Sequence, residues 1–285
     1  MTVIAITGAS SSVGSAVADE CARRGFDVVP LVRRPVAPTD RAYDLGSPPS
    51  EDLLSGVDAL IHLAWDWTAD EAVARAHNLE GSRALLALAR AGGARPVLLS
   101  TFSVFAAATS SYGAMKGELE ELVAAGGGAS LRAGLIWGGS GEVTGILATV
   151  RRLSQLPLCA HLVPDPRLHA SHLGALAVSL VELAAGPDPS AQPVRLGASH
   201  GSVALSEVQH AFRGPSRTLH PRVPVGVLSA AAGVASRLGV ALPFRPDSLN
   251  AVSQAPLTES DTSPYPFEPG FDDIEGFLAW AASRR

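Results

Sequence analysis

The sequence has almost no lysine. Of its 22 basic side chains only Lys116 is a lysine and the other 21 are arginines. A chain that carries its positive charge on arginine throughout has no surface reason to keep one lysine, so position 116 asks for a chemical explanation. Cysteine is nearly absent too. Cys21 and Cys159 make neither a disulfide framework nor a thiolate metal cluster, and they fit a reducing compartment. There is no basic excess: 22 basic residues against 27 acidic ones leave a net charge of −5, which argues against a nucleic-acid partner. Charged residues are only 17% of the chain and hydrophobic ones 47%, which excludes global disorder and supports a sizeable core. Long hydrophobic runs are missing. The longest apolar stretch, Val223 to Phe244, is interrupted by Pro224, Gly233, Arg237 and Pro243, whereas a membrane span needs about 20 mostly uninterrupted apolar residues. It reads as an Ala-rich buried or interface helix. The opening Thr2–Ile6 is too short for the apolar region of a signal peptide and lacks a basic flank. A soluble, cytoplasmic protein without a membrane partner is expected.

In the first half, short apolar runs alternate with helical patterns, as in βαβ units of a parallel sheet. Strands are expected at Val3–Ile6, Asp27–Val32, Ala59–Leu63, Pro96–Ser100 and Ser130–Ile136. Helices are expected at Val13–Arg24, Asn78–Ala91 and Tyr112–Ala125. The second half is less regular, with helical patterns near 143–156, 172–185, 205–212, 225–238 and 272–282 between Pro/Gly-rich joints. The expected organisation is a dinucleotide-binding domain over residues 1–155, to whose sheet a late strand near 193–197 returns, followed by a substrate-binding part over 156–285. The fold class is α/β, a Rossmann-type doubly wound parallel sheet with a small C-terminal substrate domain.

Three motifs carry chemistry. Thr7-Gly8-Ala9-Ser10-Ser11-Ser12-Val13-Gly14 follows the first strand and opens a helix, a setting in which backbone amides and the helix N-terminus can hold a diphosphate. An ordinary Ser-capped helix start gives part of the same pattern. Leu31-Val32-Arg33-Arg34 ends the second strand with arginine where an acidic residue would bind the ribose of NAD, so Arg33 and Arg34 point to the 2′-phosphate of NADP. Tyr112-Gly113-Ala114-Met115-Lys116 puts a phenol and the lone ammonium one helical turn apart, on one face. The cation is expected to lower the phenol pKa from about 10 and ready it for proton exchange. The preceding strand ends in Ser100-Thr101-Phe102-Ser103, whose hydroxyls can hold a substrate carbonyl. Spacing alone leaves open which of them does so.

Weaker signals follow. Trp65 and Trp67 flank Asp66 just past a strand end, where they can wall a substrate pocket or simply pack. His169 and His172 are an i,i+3 pair without a third ligand, and no metal site is expected. No G-x-S-x-G elbow occurs.

Together these residues resemble the short-chain dehydrogenase/reductase superfamily, in particular its extended branch of NAD(P)-dependent nucleotide-sugar epimerases, dehydratases and ketoreductases. The resemblance runs from residue 3 to about 138 and continues more faintly to the end. The family's T-G-x-x-G-x-x-G falls on Thr7, Gly8, Ser11 and Gly14, with Ser11 in place of the middle glycine. Asp44-Leu45 is similar to the acidic-apolar pair that contacts adenine, and Leu60-Ile61-His62-Leu63-Ala64 to the segment that lies beside the cofactor. Asn78-Leu79-Glu80-Gly81-Ser82 is similar to the "N-V-x-G-T" helix start. The S-S/T-x-x-V-Y pattern selects Thr101 as the catalytic hydroxyl. Downstream, Leu135 stands where the family has a substrate-contacting Asn, His172 where it has an acidic residue, and Asp165 where it often has an arginine.

What the resemblance implies is an NADP(H)-dependent reductase of a small-molecule carbonyl substrate, a 4-keto nucleotide sugar being one candidate, with NAD(H) as the alternative cofactor. Tyr112, Lys116 and Thr101 would be catalytic. Gly8, Ser10, Ser11, Ser12, Val13, Gly14, Arg33, Arg34, Asp44, Leu45, Leu63, Ala64, Ser100 and Lys116 would line the cofactor, and Trp65, Arg167 and Arg245 the substrate. A homodimer stays open. The rivals are an epimerase that recycles bound NAD(P) and a non-catalytic NAD(P)-sensing regulator. The Tyr/Lys dyad speaks against the regulator, and Phe102-Ser103 in place of an acidic pair speaks against a dehydratase.

Overall fold

The computed structural model describes residues 1–68, 70–104, 110–139, 141–215, 219–228, 230–231 and 265–285. Its centre is a sheet of seven parallel strands in the order β11-β6-β5-β4-β1-β2-β3. These are β1 (Val3–Thr7), β2 (Asp27–Val32), β3 (Arg41–Ala42), β4 (Ala59–His62), β5 (Arg95–Thr101), β6 (Ala129–Ala133) and β11 (Val194–Gly197). Side chains alternate across the sheet. Ile4, Ile6, Ala59 and Ile61 face a core shared with α1 (Ser12–Arg23) and α6 (Leu173–Ala185). Ala5, Leu60 and Leu98 face the opposite core, shared with α3 (Ser82–Ala91) and α4 (Ser111–Ala125). Both faces are covered, which is why these strands read as continuous apolar runs rather than alternating ones. β1 pairs with β2 on one side and β4 on the other, so the strand order reverses there. In open α/β sheets the cleft beyond the strand C-termini at such a reversal is where ligands bind.

The structure departs from the sequence reading in three places. Ser130–Ile136 is not one strand. The chain leaves the central sheet at Gly134, whose amide donates to Ser171 Oγ at 2.8 Å, and continues as β7 (Leu135–Trp137) paired with β10 (Ala170–His172). The Asn78–Ala91 helix begins earlier, with α2 (Glu71–Ala74) and a π-helical segment over Arg75–Gly81 ahead of α3. The joints of the second half hold short strands: β8 (His161–Val163) pairs with β13 (Arg222–Pro224), and β9 (Arg167–Leu168) with β12 (Val203–Ala204). These strands border a third core, in which Trp137, Leu147, Val208, Phe212 and Phe277 bring together α5 (Gly145–Ser154), α7 (Leu205–Arg213) and the C-terminal helix Ile274–Ala282. Most of the expected 225–238 helix lies outside the described residues. Among the described residues no helix is long and apolar enough to cross a membrane.

Candidate functional site

The site lies at the C-terminal ends of β1, β4 and β5, and Thr7 is its hub. Its hydroxyl oxygen accepts the amides of Leu63 and Ala64 at 2.9 and 3.0 Å, which uses both lone pairs. Its one proton therefore goes to His62 Nδ1, 2.8 Å away, and His62 must donate through Nε2 to Ser82 Oγ, also at 2.8 Å. This fixes the tautomer of His62. Complete burial, with the positive charge of Lys116 adding to it, holds the His62 pKa down to about 3. The imidazole is thus a neutral strut that sets the strand end carrying Leu63 and Ala64.

After β1 the chain makes a tight turn in which Ser11 N donates to Gly8 O at 2.9 Å. Ser11 is the N-cap of α1, and its Oγ accepts from Gly14 N at 3.0 Å. The serine that replaces the pattern's middle glycine thus has a definite task, satisfying an amide of the helix start. Gly14 cannot be substituted cheaply, since a Cβ there would overlap the Gly8 carbonyl oxygen. The first turn of α1 carries no acidic side chain to offset its amide dipoles. The loop from Gly8 to Gly14, with Ser10 and Ser12 exposed and Val13 anchored in the core, therefore fits a dinucleotide diphosphate. Beyond β2, Arg33 and Arg34 are exposed, as is Asp44, while Leu45 is buried beside it.

The dyad sits on α4. Ser110 caps this helix by accepting Gly113 N at 3.0 Å. Gly113, between Tyr112 and Lys116, lets the helix approach the end of β5 closely, because a Cβ there would overlap Ser103 O. The phenol ring of Tyr112 packs edge-on against Trp65, with centroids 4.9 Å apart, and lies 5.3 Å from Trp67. Burial pushes the phenol up to about 12, and the Thr101 hydroxyl, as its hydrogen-bond partner, opposes this. The direction is opposite to the one expected from the Tyr–Lys spacing. The reason is desolvation of the phenol, while the ammonium is engaged elsewhere: Lys116 Nζ donates to Leu99 O at 2.7 Å and stands 4.5 Å from the centre of the Trp65 ring. Lys116 is 3% exposed, and desolvation brings its pKa down to about 7 against the opposing pull of Glu120.

Two supports of the site were not visible from the sequence. Beneath it, Ser100 Oγ donates to Glu120 Oε1, and Arg132 holds the same carboxylate through two bonds of 2.9 and 2.7 Å. Beside it, Asn78 clamps the Trp65–Trp67 loop. Its Oδ1 accepts Asp66 N at 2.6 Å, and its Nδ2 donates to Asp66 O at 2.8 Å. His77 Nδ1 meets the Asp66 carboxylate at 2.8 Å. The widened π-helical turn brings His77 and Asn78 to Asp66 together. The family pattern marked Asn78 as a helix start, and the signal that could have revealed the clamp is the polar His77-Asn78 pair opposite Asp66.

The second half contributes differently from expectation. Arg167 is bound to Ser202, with Nε donating to Oγ at 2.8 Å and Nη2 to the backbone carbonyl, so its fork is engaged along the β9–β12 ribbon. Arg245 lies outside the described residues. Leu135 is buried. His169 donates from Nδ1 to Ser199 O at 2.8 Å and stacks on Phe102, while His172 packs edge-on against Trp137. The two histidines are thus taken up in packing and backbone bonding rather than facing a common ion.

Comparisons with known proteins agree with this geometry. Residues 4–124 match the model of the NAD dependent epimerase/dehydratase family. A ceramide reductase of Caulobacter vibrioides is 33% identical over 191 residues, which cover 62% of this chain and 60% of that protein. The chain thus spans about 60% of the length of the curated relative it matches. Among solved structures, the terminal R domain of the myxalamid PKS-NRPS biosynthetic pathway superposes with a TM-score of 0.69 at 20% identity, covering 98% of this chain and 84% of that one. The Bordetella bronchiseptica enzyme WbmH, solved in complex with NAD+, superposes with a TM-score of 0.65 at 20% identity, covering 90% and 98%. At that identity the likeness is one of fold, a Rossmann-like α/β architecture. Residues 4–124, with their capped glycine turn after β1 and their Tyr112–Lys116 helix, are thus similar to the NAD dependent epimerase/dehydratase family.

Proposed function

We propose that the chain is an NADP(H)-dependent reductase of a carbonyl substrate. The observation that carries this reading is the meeting of Tyr112 and Thr101 at the end of β5, with Lys116 one turn further along α4 and Trp65 packed over both. The dinucleotide would be held by the Gly8–Gly14 turn, by Arg33 and Arg34 at its 2′-phosphate and by Asp44-Leu45 at the adenine. Leu63, Ala64 and Ser100 would line it, and Lys116 would bind the nicotinamide ribose. When bound, the reduced nicotinamide supplies a hydride to the carbonyl carbon. The chain's own part is the proton. A phenol held up to about 12 keeps its proton at neutral pH, the form needed to deliver it to the carbonyl oxygen as that becomes a hydroxyl. Thr101 Oγ1 would orient the same oxygen, and Trp65 and Trp67 would keep water from it.

Residues 156–285 are read as the substrate-binding part, apart from the sheet strand β11. Two substrate classes are in play. A largely apolar ketone is supported by the Arg167 fork turned onto Ser202, by Leu135, and by the Caulobacter relative's name, ceramide reductase. A 4-keto nucleotide sugar is supported by a solved neighbour, MoeE5, held in complex with UDP-glucuronic acid and NAD, at 18% identity with a TM-score of 0.60.

The test is NADPH oxidation with long-chain ketones and keto sugars side by side, in wild type and Tyr112→Phe. Loss of the phenolic proton should lower kcat by about 10²–10⁴ with little change in NADPH affinity. Turnover at the wild-type rate in Tyr112→Phe would overturn the assignment of Tyr112 as the proton donor, and NADPH binding without turnover of any carbonyl by the wild type would favour the regulator.

A further inference from the structure

We propose that His161, His210 and His220 form a site for one divalent transition-metal ion, away from the Tyr112 cleft. The three residues come from separate elements of the C-terminal part. His161 opens β8, His210 lies in the last turn of α7, and His220 directly precedes the segment leading into β13. One ring nitrogen from each lies within 4.8 Å of the others, and the ring centroids are 4.4, 5.3 and 5.5 Å apart.

The hydrogen bonding says which nitrogens are available. His210 Nδ1 is 2.8 Å from Ser206 O, and since a carbonyl only accepts, Nδ1 carries the proton and Nε2 the lone pair. A carbonyl partner on the second ring nitrogen is the usual orienting contact of a metal-bound histidine. Among the described residues, His161 Nε2 and His220 Nδ1 are buried atoms with no hydrogen-bond partner. Two orphaned nitrogens facing one cluster are unusual in a native fold and ask for a ligand.

The frame is firm. His161 N donates to Pro221 O at 2.9 Å and β8 runs parallel to β13, so His161 and His220 are held side by side by the backbone. His210 is exposed and can swing in. A tetrahedral ion with bonds of 2.0–2.1 Å to nitrogen would need the three atoms about 3.3 Å apart, a contraction within reach of side-chain rotation. Imidazole donors select zinc, nickel, cobalt or copper and not magnesium or calcium, and water would complete the shell. The ion would tie β8, α7 and the 219–221 segment into one unit.

The test uses the whole chain, stripped with a chelator and titrated with zinc against a chromophoric competitor, with metal content measured in parallel. One zinc per chain is expected in the micromolar range or tighter, together with a raised melting temperature, and magnesium should have no effect. His210→Ala removes an exposed side chain and so should fold, as circular dichroism would verify, yet weaken zinc binding by at least about 100-fold. His161→Ala with His220→Ala should abolish it. No saturable zinc binding by the wild type, or undiminished binding by His210→Ala, would overturn the proposal.

Discussion

Replacing Lys116 by methionine should make the protein more stable while it disables the site. In the folded chain Lys116 is 3% exposed, and desolvation carries its pKa from 10.5 down to about 7. At roughly 1.4 kcal/mol per tenfold change in proton affinity, holding this side chain inside costs about 5 kcal/mol where both the folded and the unfolded chain carry it charged. The cost applies in full below pH 7, where both states are protonated. It shrinks as pH rises from 7 towards 10.5, because there only the unfolded state binds the proton, and it is gone above 10.5. Methionine removes this cost and keeps the volume, but it also removes the hydrogen bond to Leu99 O and the contact with the Trp65 ring, together about 1–2 kcal/mol. The net expectation is a variant about 3 kcal/mol more stable than wild type at pH 6 and about equal to it near pH 9. Urea melts followed by circular dichroism across that range measure the difference directly. A stability gap that stays constant from pH 6 to pH 9 would show that the amine is not held neutral by burial, and the reasoning would fail.

Three further outcomes follow from other parts of the site. Arg33→Ala combined with Arg34→Ala should weaken NADPH binding at least about tenfold, the worth of a charge-assisted phosphate contact, and leave NADH unchanged. Equal effects on the two cofactors in a calorimetric titration would rule out the 2′-phosphate reading. Thr7→Val leaves the amides of Leu63 and Ala64 and the His62 ring without their shared partner. It should cost about 2–4 kcal/mol in a urea melt, and a loss under about 1 kcal/mol would refute the hub role. Arg132→Leu strands the Glu120 carboxylate, which is 5% exposed, and should cost about 3–5 kcal/mol. Adding Glu120→Met should recover most of that loss, and a double variant as unstable as the single one would argue against the buried pair.

What the sequence determined by itself is what local geometry determines. Runs such as Val3–Ile6 and Ala59–Leu63 announced buried parallel strands, and a turn then a helix after β1 followed from Gly8 to Gly14. The helical repeat was enough to put Tyr112 and Lys116 on one face of α4. Backbone periodicity is short-ranged, so a few neighbouring residues suffice to read it. The tertiary structure decided everything that depends on which distant groups exclude water or share a bond. The phenol of Tyr112 is raised rather than lowered because the Trp65–Trp67 loop, clamped by Asn78, closes over it, while Lys116 turns to Leu99 O. Arg167 looked free to meet a ligand until β12 brought Ser202 beside it. Ser130–Ile136 reads as one strand until β10 arrives to draw Leu135–Trp137 away from the sheet. Glu120 with Arg132, and His161 with His210 and His220, carry no spacing signal, since each set is assembled from separate elements. Desolvation and pairing are properties of the packed neighbourhood, and packing joins residues that the chain keeps apart.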